Sequence, residues 1–181
     1  MWISQTTDFS AFELDELYWF TNHKYPLAER ENIYTITMTS RIPRQIVGFD
    51  VDYDKEAERI QRIIDSVDSA ENYFTDGNPT YLDVIFSGRY NRNTENKNDT
   101  HLTESINADL RHYISGFARK SRTFFRKQET VHAVLSVFID AYNKYGEAKL
   151  KHQVPVLHRT NEPSDHLHKY RDVPFSILDF L

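Results

Sequence analysis

Three early segments alternate apolar and polar residues at a period of two, with only short polar breaks between them. They are ELDELYWF (13–20), ENIYTITMTS (31–40) and QIVGFDVDY (45–53). Alternation of this kind marks strands, and such short connections favour an antiparallel meander. The period then changes to that of a helix. Ala57, Ile60, Ile63, Ile64 and Val67 recur at helical spacing within 55–68, whose first turn is acid-rich. ENYFTDGNP (71–79) reads as a fourth strand ending in an Asp-Gly turn, 79–86 as a short helix and 88–93 as a further strand. Leu102, Ile106, Leu110, Ile114 and Phe117 form one helical stripe, and Val131, Val134, Leu135, Phe138, Ile139 and Tyr142 form another. The order predicts an α/β fold: a mixed sheet of an antiparallel meander plus parallel strands, flanked by helices. A helix between the third and fourth strands permits a parallel crossover. With 181 residues, one domain over 1–146 is expected, followed by a polar, His-bearing tail (147–181) that closes on an apolar segment.

Composition narrows the function classes. Gly and Pro are scarce and aromatics plentiful, which excludes a low-complexity chain. No apolar run approaches the roughly 18–20 residues of a membrane span, so no membrane partner is expected. There is no Cys, which rules out disulfides and Cys-ligated zinc within this chain and agrees with a cytoplasmic location. No Gly-rich phosphate loop is present. The net charge of −5 argues against a surface that coats nucleic acid throughout. Its distribution is uneven: nine acids fall in residues 50–76, whereas 111–127 carry six bases and no acid. Such a basic strip is where a phosphate backbone would bind, although a solvated helix face is the commoner cause of a charge run.

Asp15 is the anomaly. It alternates with Leu17 and Trp19, so it shares a face with large apolar groups. Strands disfavour Asp, and a buried carboxylate is costly unless something compensates it. Glu13 and Glu16 read as flank or edge residues. Asp76 closes the fourth strand, at the sheet edge where ligands bind in open α/β folds. Glu104 lies in the first turns of the 102–118 helix, about 200° from Leu102 and Ile106, on a face with His101, Asn107, Ala108 and Arg111. If the first and fourth strands are neighbours, Asp15 and Asp76 meet, with Glu104 over them. Three converging carboxylates are stable mainly around a hard divalent cation, and oxygen-only ligands select Mg²⁺ or Mn²⁺. Each acid also has a plainer reading: Asp15 as an edge residue, Asp76 as a turn residue, Glu104 as a first-turn acid favoured by the helix dipole.

The words around these acids resemble a known family. ELDELYWF is similar to the first catalytic strand of transposases of the insertion-sequence-one type, and QIVGFDV to their following strand. YFTDGNPTY resembles their second block. Residues 101–143 resemble the third, with E-x-x-N-x-x-L-R running into A-R-K-S-x-x-F and then E-x-x-H. The likeness covers roughly 12–145. It implies a ribonuclease-H-like DDE catalytic domain with Asp15, Asp76 and Glu104 as catalytic and metal-binding residues, two Mg²⁺ or Mn²⁺ ions, and DNA as partner. It implies Asn107, Arg111, Arg119, Lys120 and Arg122 as DNA-facing residues, with Asn107 and Arg111 orienting Glu104 or touching the scissile-strand phosphate. It further implies cleavage at transposon ends and 3′-hydroxyl strand transfer, a homo-oligomer, and a prokaryotic, nucleoid-associated location. Family members commonly carry an N-terminal zinc segment and a helix-turn-helix, so an upstream DNA-binding segment, fused or separate, is expected. Two alternatives stand beside this: a metal-dependent nuclease of the same fold, and an inactive DNA-binding remnant. Asp50, Asp52 and Asp54 alternate along the third strand and read as a solvent-facing edge. His152, His158, His166 and His168 read as a surface tail.

Overall fold

The computed structural model describes residues 9–20, 32–92, 100–118, 125–152 and 174–181. Five strands form one sheet: β1 (Phe9–Phe20), β2 (Asn32–Ser40), β3 (Gln45–Asp52), β4 (Ala70–Thr75) and β5 (Arg89–Arg92). Their order is β3-β2-β1-β4-β5. β1 pairs antiparallel with β2, and β2 antiparallel with β3. β4 lies parallel to β1, and β5 parallel to β4. This is the mixed sheet of an antiparallel meander plus parallel strands expected from the alternation, with the chain crossing from β3 to β4 through α1 (Ala57–Asp65).

β1 is central and covered on both faces, which explains its dense aromatic and aliphatic composition. One face holds Phe12 and Leu14. They pack with Ile36 and Met38 of β2, Ile60, Ile63 and Ile64 of α1, and Tyr73, Tyr81 and Val84. α1 is helical because those isoleucines fall at i, i+3 and i+4 on one stripe. Its N-cap, Glu56, makes no side-chain cap bond, so tertiary burial of that stripe has to sustain the helix. The other face of β1 carries Glu13, Asp15, Leu17 and Trp19 beside Thr39, Thr37, Thr35 and Ile33 of β2. α2 (His101–Tyr113) lies against this face and buries Leu102, Thr103, Ile106, Asn107 and Leu110. The start of α3 (Gln128–His152) covers β3, with Gln128 Nε2 donating to the Val51 carbonyl and His132 tilted against Phe49, ring centroids 4.9 Å apart.

The chain divides into two compact units, 1–134 and 135–181. In the second, Tyr145 meets Phe175 and Phe180 edge-on or tilted, and Ser176 and Asp179 form a capping box for a last 3₁₀ turn, Ile177–Phe180. The tail histidines His158, His166 and His168 lie outside the described residues, as does the polar loop 93–99.

Asp50, Asp52 and Asp54 differ from expectation. All three converge on Arg59 of α1: Asp54 Oδ1 at 2.7 Å from Nε, Asp50 Oδ2 at 3.2 Å from Nη1, and Asp52 on Nη2. The edge strand is thus tied to α1 by one guanidinium rather than left to solvent.

Gly88, just before β5, marks a close backbone approach. A Cβ there would run into the carbonyl oxygens of Ala70 and Glu71 at the start of β4. Backbone cannot yield as a side-chain tip can. Gly88→Ala is expected to cost about 2–3 kcal/mol, read as a lower urea midpoint with an unchanged m-value.

Candidate metal centre

The register builds the site. β4 pairs with β1 only as far as Leu14↔Thr75, so Asp15 and Asp76 are the next residues on two adjacent parallel strands. Beyond Thr75 the chain turns away from β1. Asp76 Oδ1 accepts from the Asn78 amide at 2.8 Å, and Asn78 Oδ1 accepts from the Thr80 amide at 3.2 Å, opening the 3₁₀ turn Pro79–Asp83. That departure leaves the β4 side of β1 open after residue 14. Glu16 fills the opening: Asn78 Nδ2 donates to its Oε1 at 2.9 Å.

Asp15, Glu16 and Asp76 therefore converge, each offering an oxygen within 4.8 Å of the others'. Glu16 was set aside as a bystander on sequence, and this placement corrects that. Each acid also has an oxygen anchored by an amide donor. Asn107 Nδ2 donates to Asp15 Oδ2 at 2.7 Å, and Asn78 serves the other two. Such anchoring fixes the rotation of each carboxylate before any ligand arrives.

The electrostatics follow. Burial pushes the Asp15 carboxyl up to about 6. Asp76 and, more weakly, Glu104 push the same way, against hydrogen bonds from the Glu16 backbone and Asn107. Burial likewise pushes Glu16 up to about 7, with Asp76 and Asp15 adding to the rise, while Lys55 and the Tyr81 hydroxyl oppose it. Tyr81 is fully buried, which holds its own hydroxyl well above the usual range, helped by the charges of Glu16, Asp15 and Asp76. Repelling, oxygen-only donors at this spacing suit a hard divalent cation.

Glu104 lies in the first turn of α2, exposed, and its charge acts on Asp15. It is not one of the three acids whose oxygens lie within 4.8 Å of one another. Asn107, placed by sequence on an open helix face, is buried against β1, and its Nδ2 donates to Asp15. Arg111 is half-buried two turns beyond Glu104. Arg119, Lys120 and Arg122 lie outside the described residues, while Arg126 and Lys127 of the same basic strip are exposed.

Glu13 was also set aside on sequence. It is fully buried, and its Oε1 pairs with Arg41 Nε at 2.7 Å. Its Oε2 accepts from the Leu102 and Thr103 amides and the Thr103 hydroxyl at 3.0–3.2 Å.

Among the described residues, no helix is long and apolar enough to cross a membrane. No protein-family model matches the chain, and no curated protein matches it. Among solved structures it is similar to the crystal structure of the Mos1 strand transfer complex, at 13% identity and a TM-score of 0.42, over 77% of this chain. The matched region spans 51% of that chain, about half its length.

Proposed function

We propose that this chain is the catalytic domain of a DNA transposase, cutting at transposon ends and joining the freed 3′-hydroxyl to target DNA with Mg²⁺ or Mn²⁺. The observation that carries this reading is the convergence of Asp15, Glu16 and Asp76 where β4 leaves β1, with Glu104 in electrostatic reach. The donor set fits hard divalent ions. Asp15 and Asp76 would hold them, with Glu104 as the third ligand from the family resemblance and Glu16 as an additional carboxylate. Two such ions supply an activated attacking oxygen and charge relief at phosphorus.

The chain's own residues prepare that site. Asn107 and Asn78 hold the carboxylates in fixed rotamers, which limits reorganisation during the reaction. α2 covers Asp15 through Asn107, so the carboxylate is half-buried. Arg111, with Arg119, Lys120 and Arg122 of the basic strip, is assigned to the DNA backbone. The reading places the catalytic region in 1–146. It expects a homo-oligomer working with an upstream DNA-binding segment, in a prokaryotic cytoplasm near the nucleoid.

The test is strand transfer. The protein is incubated with Mg²⁺ or Mn²⁺, supercoiled plasmid and a pre-cut oligonucleotide taken from the DNA ends flanking its coding region. Joined product is expected, and Asp76→Asn should lower it by about 10³-fold or more, some 4 kcal/mol of transition-state stabilisation. Equal product from Asp76→Asn would sink the reading. Nicked plasmid without joining would make the protein a nuclease of the same fold.

A further inference from the structure

The site depends on α2 standing at one height along β1. α2 supplies Asn107 to Asp15 and places Glu104 within electrostatic reach. Helices leave their first amide groups without internal partners, and a capping side chain usually satisfies them. α2 lacks that device: its N-cap, Thr100, makes no side-chain cap bond. The Leu102 and Thr103 amides are satisfied instead by Glu13, a strand residue about ninety positions away in sequence.

The spacing makes this contact more than a cap. Glu13 and Asp15 are two residues apart on one face of a strand, about 6.6 Å. Thr103 and Asn107 are four residues apart on a helix, about 6 Å. The two intervals match, so Glu13 meets Thr103 while Asp15 meets Asn107, and Glu104 falls between the contacts. Sliding α2 by one turn would break both at once. Glu13 is itself spent on this task. Arg41 engages one of its oxygens and α2 the other, which separates its role from that of Asp15 on the same face. Arg44 also reaches α2, through Ser105 at 3.0 Å, but from an exposed turn.

We propose that Glu13 is a positioning residue: its buried carboxylate clips the first turn of α2 to β1 and so sets Glu104 and Asn107 against Asp15. In its functional consequence the proposal rests on the reading of Asp15 and Glu104 as a cation site.

The experiment uses the full chain, Glu13→Ala and Thr103→Val. Glu13→Ala removes every acceptor that Leu102 and Thr103 use. Thr103→Val removes only the hydroxyl donation and keeps the Glu13–Arg41 pair. Folding is verified by circular dichroism. The Asn107 side-chain amide is followed by NMR, and Mn²⁺ affinity by electron paramagnetic resonance. In Glu13→Ala the Asn107 signal should move toward its position in Asp15→Ala, and the Mn²⁺ Kd should weaken about tenfold. Thr103→Val should move both in the same direction by less. Variants that are folded yet keep the wild-type Asn107 signal and Mn²⁺ Kd would overturn the proposal. Should Glu13→Ala fail to fold, Thr103→Val decides alone, and an unmoved Asn107 signal overturns it. The NMR readout needs neither DNA nor metal. A wild-type protein that binds no Mn²⁺ and joins no DNA would therefore remove the functional reading, while the Asn107 signal still decides the clip.

Discussion

Asp15→Asn is expected to abolish strand transfer and, in the metal-free protein at pH 8, to raise the melting temperature. The two effects share one cause. Asp15 has a carboxyl pushed up to about 6 by burial and by the charges of Asp76 and Glu104, so at pH 8 it is ionised against its surroundings. An amide of the same shape removes that charge. Its oxygen can still accept from Asn107, so the buried bond survives. The shift from 3.8 to about 6 corresponds to at most about 3 kcal/mol at ~1.36 kcal/mol per unit. Partial exposure leaves an expected gain of about 1–3 kcal/mol, or several degrees for a chain of this length. Catalysis should fall by about 10³-fold or more, because an amide is a poor ligand for a hard dication. Asp68→Asn, on an exposed residue, controls for net charge and should change neither quantity. A destabilised Asp15→Asn, or one that still joins DNA, would contradict a metal role for Asp15.

What the sequence made legible was the part governed by local periodicity. The alternation at 13–20, 31–40 and 45–53 located β1 to β3 within a few residues, and the isoleucine stripe located α1. Asp15 and Asp76 could be paired because strand parity and a strand end are local facts. Glu16 was lost to the same parity. Alternation assigns it to the face opposite Asp15, but a long side chain can reach round a strand edge that has no neighbour. β4 stops at Thr75, opposite Leu14, and past that point the Glu16 side chain turns to Asn78 and Asp76. The only trace was the D-G-N turn itself, which had to leave β1 somewhere. Glu13 was illegible for another reason. Its partners, Arg41 and the start of α2, lie 28 and about 90 residues away, and no local pattern announces a cap supplied from another element. Asn107 was placed on the open face because its helical stripe was drawn too narrow. It lies one residue from Ile106, and the buried arc of α2 is wide enough to include both. Asp50, Asp52 and Asp54 show the same limit from the other side, since alternation on an edge strand cannot reveal that one Arg59 gathers all three.

The pH dependence of stability should carry the signature of the site and should be largely cancelled when a cation is added. Both raised carboxyls hold their protons in the folded chain to higher pH than in the unfolded one: Asp15 to about 6 from 3.8, Glu16 to about 7 from 4.5. Between roughly pH 4 and pH 7 the folded state binds more protons, so the unfolding free energy falls as pH rises. The contribution is fully present below about pH 4 and gone above about pH 7. Each group alone would account for about 3 kcal/mol. They raise one another, so the pair should lose about 2–4 kcal/mol together rather than the sum. Other groups titrate in the same range, and subtracting the urea-derived stability of a D15N/E16Q double variant isolates the pair. The wild type should drop relative to that variant from pH 4 to pH 7 and run parallel above. Mn²⁺ must displace the same protons, so its stabilisation should be small at pH 5 and large at pH 8. At a hundred times its Kd the gain would be about 2.7 kcal/mol, enough to cancel most of the drop, and removal by chelator should restore it. A difference curve that is flat from pH 4 to pH 7 would mean that the carboxylates are not strained by burial and proximity. Equal Mn²⁺ stabilisation at pH 5 and pH 8 would mean that the ion binds elsewhere.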